Sequence, residues 1–257
     1  MIEMIVLKVE NLIKYYGAKD NESSVQALMG VNLQVAEGEF VGVMGPSGSG
    51  KTTLLNILSG IDGATAGSVQ IAGKALEQLS DEELALFRRK KMGFVFQDFN
   101  LMDSLTCKEN VMLPLILEKV APAVMEQKCE DIMSFLEIDG IADKYPYHVS
   151  GGQQQRTAVS RALINDPEII YADEPTGNLD SKSSKAVMHC FEKMNKERNV
   201  TIMMVTHDAF AASYCRRIIF LKDGAMNMEI VKKGTRTEFF DQILDCLAVL
   251  ECDGHDL

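Results

Sequence analysis

Eight residues, Gly45-Pro46-Ser47-Gly48-Ser49-Gly50-Lys51-Thr52, follow an unbroken apolar run at 40–44 and precede a helical pattern at 53–58. They fit GxxxxGK[ST] in the setting where that spacing cradles phosphate, a buried strand before it and a helix after it. The glycines let the backbone fold with its N–H groups turned toward an anion. The helix start adds the positive end of its dipole. In this pattern Lys51 reaches the β- and γ-phosphates, the Thr52 hydroxyl suits Mg²⁺, and Thr53 is a further phosphate contact. The loop alone does not separate a kinase, a GTPase and a motor ATPase.

Two further clusters carry chemistry. The run Ile169-Ile170-Tyr171-Ala172 ends in Asp173-Glu174. A buried strand ending in adjacent acids delivers both to the sheet edge where open α/β folds bind ligands. Asp173 is placed to hold Mg²⁺ and Glu174 to polarise an attacking water, in a reaction governed by positioning and charge neutralisation. Next, Ser150-Gly151-Gly152-Gln153-Gln154-Gln155-Arg156 opens an amphipathic stretch at 157–164. Small residues at a helix start expose N–H groups, a second anion site. With a single phosphate loop in the chain, these are two half-sites for one nucleotide.

The elements that must position these residues alternate. Strands are predicted at 5–9, 31–35, 40–44, 68–71, 94–96, 168–172, 201–205 and 217–221, with a polar loop over 17–24. A charged helix is predicted over 81–91, acidic at its start and basic at its end, as the dipole favours. Asp223-Gly224 marks a hairpin turn into 226–231. Residues 98–165 change to helical periodicity, with Met125, Cys129, Ile132, Met133 and Leu136 on one face. We read them as a helical subdomain inserted into a single domain spanning 1–257, with a docking helix over about 236–250. Strands alternating with helices predict an α/β fold with a largely parallel sheet.

Bulk properties narrow the function. The net charge of −11, from 26 basic and 37 acidic residues, argues against a dedicated nucleic-acid binder or adhesion to anionic lipid. No apolar stretch approaches membrane-spanning length, and the first residues lack the features of a signal peptide. The six cysteines form no CxxC pair, so reduced, buried thiols are expected. The fifteen methionines read as core fillers; His148, His189 and His255 have no motif around them.

The chain resembles an ATP-binding cassette (ABC) ATPase from end to end. Val149-Ser150-Gly151-Gly152-Gln153 matches the LSGGQ signature with Val for Leu; Gln97 matches the Q-loop glutamine, Asn178-Leu179-Asp180 the D-loop, and His207 in Val205-Thr206-His207-Asp208 the switch histidine. Tyr16, chosen over adjacent Tyr15, sits where the family places an aromatic on adenine. The resemblance implies a P-loop NTPase core with an N-terminal antiparallel β subdomain and an inserted helical one. It also implies ATP and Mg²⁺ as ligands, and a head-to-tail dimer with nucleotide between one phosphate loop and the other signature. Gln97 would join Mg²⁺ to the helical subdomain, His207 would touch the γ-phosphate and hold Glu174 in register, and Asp180 would cross the interface. A groove between the helical subdomain and the Gln97 loop would receive a permease helix.

The segments 94–101 and 173–180 are similar to the ATPases serving MacB-like, lipoprotein-release and cell-division permeases, and within that branch 180–183, 204–208, 211–215 and 236–240 are most similar to the bacitracin-export (Bce-type) ATPases. That implies a peripheral subunit on the cytoplasmic face of a bacterial membrane, powering a separate permease in peptide-antibiotic resistance. The alternatives are a lipoprotein-release or cell-division type ATPase, or a non-transport ABC ATPase. No Asn/Thr-Lys-x-Asp motif marks a GTPase, and a kinase leaves Ser150 to Gln153 unexplained.

Overall fold

The computed structural model describes residues 4–17 and 24–252; the loop predicted over 17–24 lies mostly outside them. Strand β1 (Ile5–Tyr16) pairs antiparallel with β2 (Val25–Ala36) and with β4 (Ala66–Ile71), and β5 (Lys74–Ala75) closes a four-stranded sheet ordered β2-β1-β4-β5. Both long strands run well past the predicted segments. The period-2 pattern of β1 breaks at a bulge, where Asn11 turns to φ 47° and its N–H donates to Asn32 Oδ1.

The second sheet has six strands: β3 (Phe40–Met44), β6 (Met92–Val95), β7 (Ile169–Asp173), β8 (Ile202–Val205), β9 (Arg217–Lys222) and β10 (Ala225–Val231), in the order β10-β9-β3-β8-β7-β6. Every pairing is parallel except the β9–β10 hairpin. Its turn places Asp223 and Gly224 at φ 49° and 76°, the pair of left-handed residues a two-residue hairpin requires. β6 begins directly after its helix and stops at Val95, so Phe96 belongs to the following loop.

Alternation splits this sheet between two cores. Val41, Val43, Tyr171, Met203, Val205 and Leu221 face the antiparallel sheet and α1 (Lys51–Leu58), which adds Leu54, Leu55 and Leu58. Phe40, Met44, Ile170, Ala172, Met204 and Phe220 face the helices on the other side. Burial on both faces explains the continuous apolar runs. The helical side holds α3 (Cys107–Leu117), α4 (Pro122–Phe135), α5 (Gly151–Leu163), α6 (Ser181–Arg198), the single turn α7 (Ala209–Ala212) and α8 (Arg236–Cys252). Cys129, Ile132, Met133 and Leu136 are buried as their spacing predicts, and Met125 packs partly buried beside them. Helix α2 (Asp81–Lys91) buries no residue; a Ser80–Glu83 capping box and its graded charge hold its ends.

Candidate active site

The sheet register brings the chemistry together. Val205 of β8 lies level with Val43 of β3 on one side and Asp173 of β7 on the other. Just beyond that level β3 enters the phosphate loop, β7 gives way to Glu174, and β8 to Thr206 and His207. Three chain segments distant in sequence thus leave one sheet edge at one height.

The loop keeps the shape its glycines permit. Gly45, Gly48 and Gly50 have φ of 148°, 80° and 97°. A Cβ on Gly45 would strike the Leu221 carbonyl oxygen, and one on Gly50 the Ala27 carbonyl oxygen. Gly50 opens α1 without a side-chain cap, which leaves the first N–H groups available to an anion. Lys51 Nζ donates to the carbonyl oxygens of Gly45 (2.9 Å) and Pro46 (2.8 Å), so the ammonium spans the loop mouth. Burial pushes its pKa down, opposed by the charges of Glu174 and Asp173. Burial raises that of Asp173, Glu174 adds to the shift, and Lys51 opposes it.

Glu174 is held from several sides. It has φ 45°, and its N–H donates to the Val205 carbonyl oxygen at 2.9 Å. Thr206 Oγ1 and the His207 N–H donate to its Oε2 at 3.3 and 3.4 Å, and His207 Nδ1 lies 2.8 Å from its Oε1. The Glu174 side chain is 16% exposed and that of His207 73%. This is a shielded carboxylate with a solvent-facing imidazole over it, at the rim of a cavity of about 290 Å³ shared with Gly45, Pro46, Ser47 and Lys51. Among the described residues no group of three or more His, Cys, Asp or Glu could hold a metal ion alone. Mg²⁺ bound with phosphate oxygens and waters needs only one or two protein ligands, so Asp173 with the exposed Thr52 fits it.

The sequence model of the ABC transporter family matches residues 28–177, more than half of the chain. This chain belongs to the ABC transporter family. It is 53% identical to the ABC transporter ATP-binding protein YvcR of Bacillus subtilis over 98% of each chain. It is 47% identical to the bacitracin export ATP-binding protein BceA of Halalkalibacterium halodurans, over 96% of this chain and 97% of that one. The ATP-binding cassette MJ0796 of Methanocaldococcus jannaschii, a dimer in a post-hydrolysis state with ADP and Pi, matches with a TM-score of 0.80 at 43% identity. That match covers 89% of this chain and all of the other. The chain is an ABC ATPase.

The other ABC-motif residues are held by contacts of their own. Ser150 caps α5 in a box with Gln153, and the next turn packs on Leu179, Phe99 and Ser183. Asp180 caps α6 by accepting from the N–H groups of Lys182 and Ser183 and from Ser183 Oγ. Gln97 donates from Nε2 to Asn178 Oδ1 at 3.0 Å. Tyr16 and Tyr15 are 42% and 40% exposed, so neither is core. The Tyr16 hydroxyl donates to Asp62 Oδ2 (2.8 Å), beyond the far end of α1, and Lys14 Nζ lies over its ring.

Sequence reasoning missed three contributors. Leu247 and Leu250 bring α8 to the wall of the cavity beside Lys51 and Glu174, although their spacing signalled only a core-covering helix. Gln155 is fully buried on α5. The available signal was a polar residue on the face that also carries Gly152, Ala158, Val159 and Ala162.

Proposed function

We propose that two copies of this chain close head to tail over ATP and hydrolyse it, and that hydrolysis drives a separate membrane permease that protects against peptide antibiotics. The observation that carries the catalytic part is the Glu174–His207 pair at 2.8 Å on the edge where the phosphate loop begins. Lys51 and the N–H groups of the loop bind the phosphates. Glu174 accepts a proton from water as that water attacks the γ-phosphorus, the bond to the β,γ-bridging oxygen breaks, and ADP and phosphate leave. His207 orients the carboxylate and contacts the γ-phosphate. Thr52, Asp173 and Gln97 would hold Mg²⁺, which when bound neutralises charge on the phosphate oxygens. Ser150, Gly151, Gly152 and Gln153 of the second copy complete the site, with Asp180 at the contact and Tyr16 on the adenine.

The permease reading rests on the similarity to the ABC transporter ATP-binding proteins YvcR and BceA and on a surface groove. No described helix is long and apolar enough to cross a membrane. Macrolide export ATP-binding/permease proteins named MacB match 86–91% of this chain, yet the chain spans only about a third of their length. A groove of about 750 Å³ opens beside the helices, lined by Phe94, Phe96, Leu113, Pro114 and Leu117 with Arg161 at its wall. It has the size and apolar character to seat a short helix of a partner. Peptide-antibiotic resistance, and a peripheral place on the cytoplasmic membrane face, are supported by the similarity to BceA.

Glu174→Gln keeps the shape of the site and removes the base. It is expected to bind ATP and to accumulate as an ATP-loaded dimer on gel filtration with Mg²⁺. A variant that binds ATP and stays monomeric would count against the assignment. Co-expression with a candidate permease should raise tolerance to bacitracin with the wild-type chain and not with Glu174→Gln.

A further inference from the structure

One buried side chain joins the groove to the catalytic edge. Gln155 of α5 is fully buried, and its Nε2 donates to the carbonyl oxygens of Phe96 (3.1 Å) and Pro175 (2.7 Å). Phe96 lines the groove and starts the loop 96–100. Pro175 directly follows Glu174. A single amide therefore pins together the loop a partner would touch and the loop that carries the catalytic carboxylate.

A second tie lies on the surface over the same two loops. Asn178 Nδ2 donates to Asp98 Oδ1 (2.7 Å) and to the Gln97 carbonyl oxygen (3.3 Å), while its Oδ1 accepts from Gln97 Nε2. Arg161, also on α5 and in the groove wall, donates to the carbonyl oxygens of Phe99 and Asn100. A side chain on Gly177 would press on Gln97, with Cδ only 3.0 Å from the new Cβ. The junction has no slack.

Two features set Gln155 apart from an ordinary structural glutamine. Its Oε1 is buried and has no hydrogen-bond partner among the described residues, and a buried acceptor left unpaired costs stability. The loops it joins also hold three non-glycine residues in the left-handed region, Phe99 (φ 61°), Asn100 (φ 48°) and Glu174 (φ 45°). Such conformations persist only where the surroundings enforce them.

We propose that Gln155 and Asn178 form a clasp, two positioning residues through which the groove loop sets the placement of Glu174. A segment seated in the groove displaces Phe96 and Asn100; the clasp passes that displacement to Pro175 and so to Glu174. This deepens the ATPase and permease reading above and rests on it. By thermodynamic reciprocity, a nucleotide at the phosphate loop must alter the groove loop through the same ties.

The test uses the purified chain, the non-hydrolysable analogue AMP-PNP with Mg²⁺, and hydrogen exchange of the backbone amides. Gln155→Met keeps the length of the side chain without its donors, and Asn178→Ala trims an exposed residue. In the wild type, AMP-PNP is expected to change exchange across 99–106 about fivefold or more, in the range of ordinary coupling energies. In both variants that change is lost, while protection at 45–58 is retained. Turnover by the variants falls roughly tenfold with KM within about twofold, the signature of a lost transition-state arrangement. The clasp is overturned if the wild type shows no response at 99–106, or if folded variants keep the response and the kcat of the wild type. If Gln155→Met fails to melt cooperatively, Asn178→Ala decides alone. Should Glu174→Gln and Lys51→Ala keep wild-type turnover, the ATPase reading falls and the clasp with it. If they abolish turnover and the clasp variants are silent, only the clasp is wrong.

Discussion

Lys51 shows how much of the site is electrostatic positioning. Its ammonium is partly desolvated, donates to two loop carbonyl oxygens, and faces the charges of Glu174 and Asp173. A triphosphate offers those N–H groups stronger, charged acceptors. Lys51→Ala removes them, and hydrogen bonds to charged groups contribute about 1.5–3 kcal/mol each, so the Kd for ATP should rise roughly 10- to 100-fold by calorimetry. Unchanged affinity would remove Lys51 from the phosphate site. Lys51, Asp173, Glu174 and His207 could all be singled out in the sequence because short motifs contain them. Gln155 and Asn178 also stand inside quoted motifs, yet the clasp between them could not be read there, because their hydrogen-bond partners lie 20 to 81 positions away.

At the scale of elements, α8 ties the last part of the chain to the catalytic edge. Phe239 and Ile243 are buried in the helical-side core, Leu250 reaches the phosphate-loop cavity, and Lys222 Nζ donates to the Leu250 carbonyl oxygen at 3.2 Å. Phe239→Ala empties a fully packed position and should destabilise the chain by about 3–5 kcal/mol in urea unfolding. A loss near zero would mean that α8 is not docked as described. The existence of this helix was legible from its apolar spacing, as was α2 from its charge gradient. The full lengths of β1 and β2 were not, because a bulge at Asn11 shifts which side of the strand each later residue faces.

At the scale of the whole molecule, the phosphate loop packs against Ala27 and Leu221 while the signature turn packs against Leu179, Phe99 and Ser183. The proposed dimer joins a loop from one copy to a signature from the other. Gly151→Asp should bind ATP as a monomer yet fail to turn over, and Lys51→Ala should fail at binding. Mixed together, they form hybrid dimers with one intact composite site, so the mixture should regain turnover that neither variant has alone. No recovery in a coupled phosphate-release assay would refute a shared site. The sequence by itself determined the family, the α/β class and the residue types at the site, because phosphate binding and buried strands both impose local patterns. Only the tertiary structure decided that Val43, Asp173 and Val205 end level on one edge, that His207 lies over Glu174, and that Gln155 bridges two loops. Those are contacts between distant segments, fixed by strand register and packing rather than by the identity of neighbours in the chain.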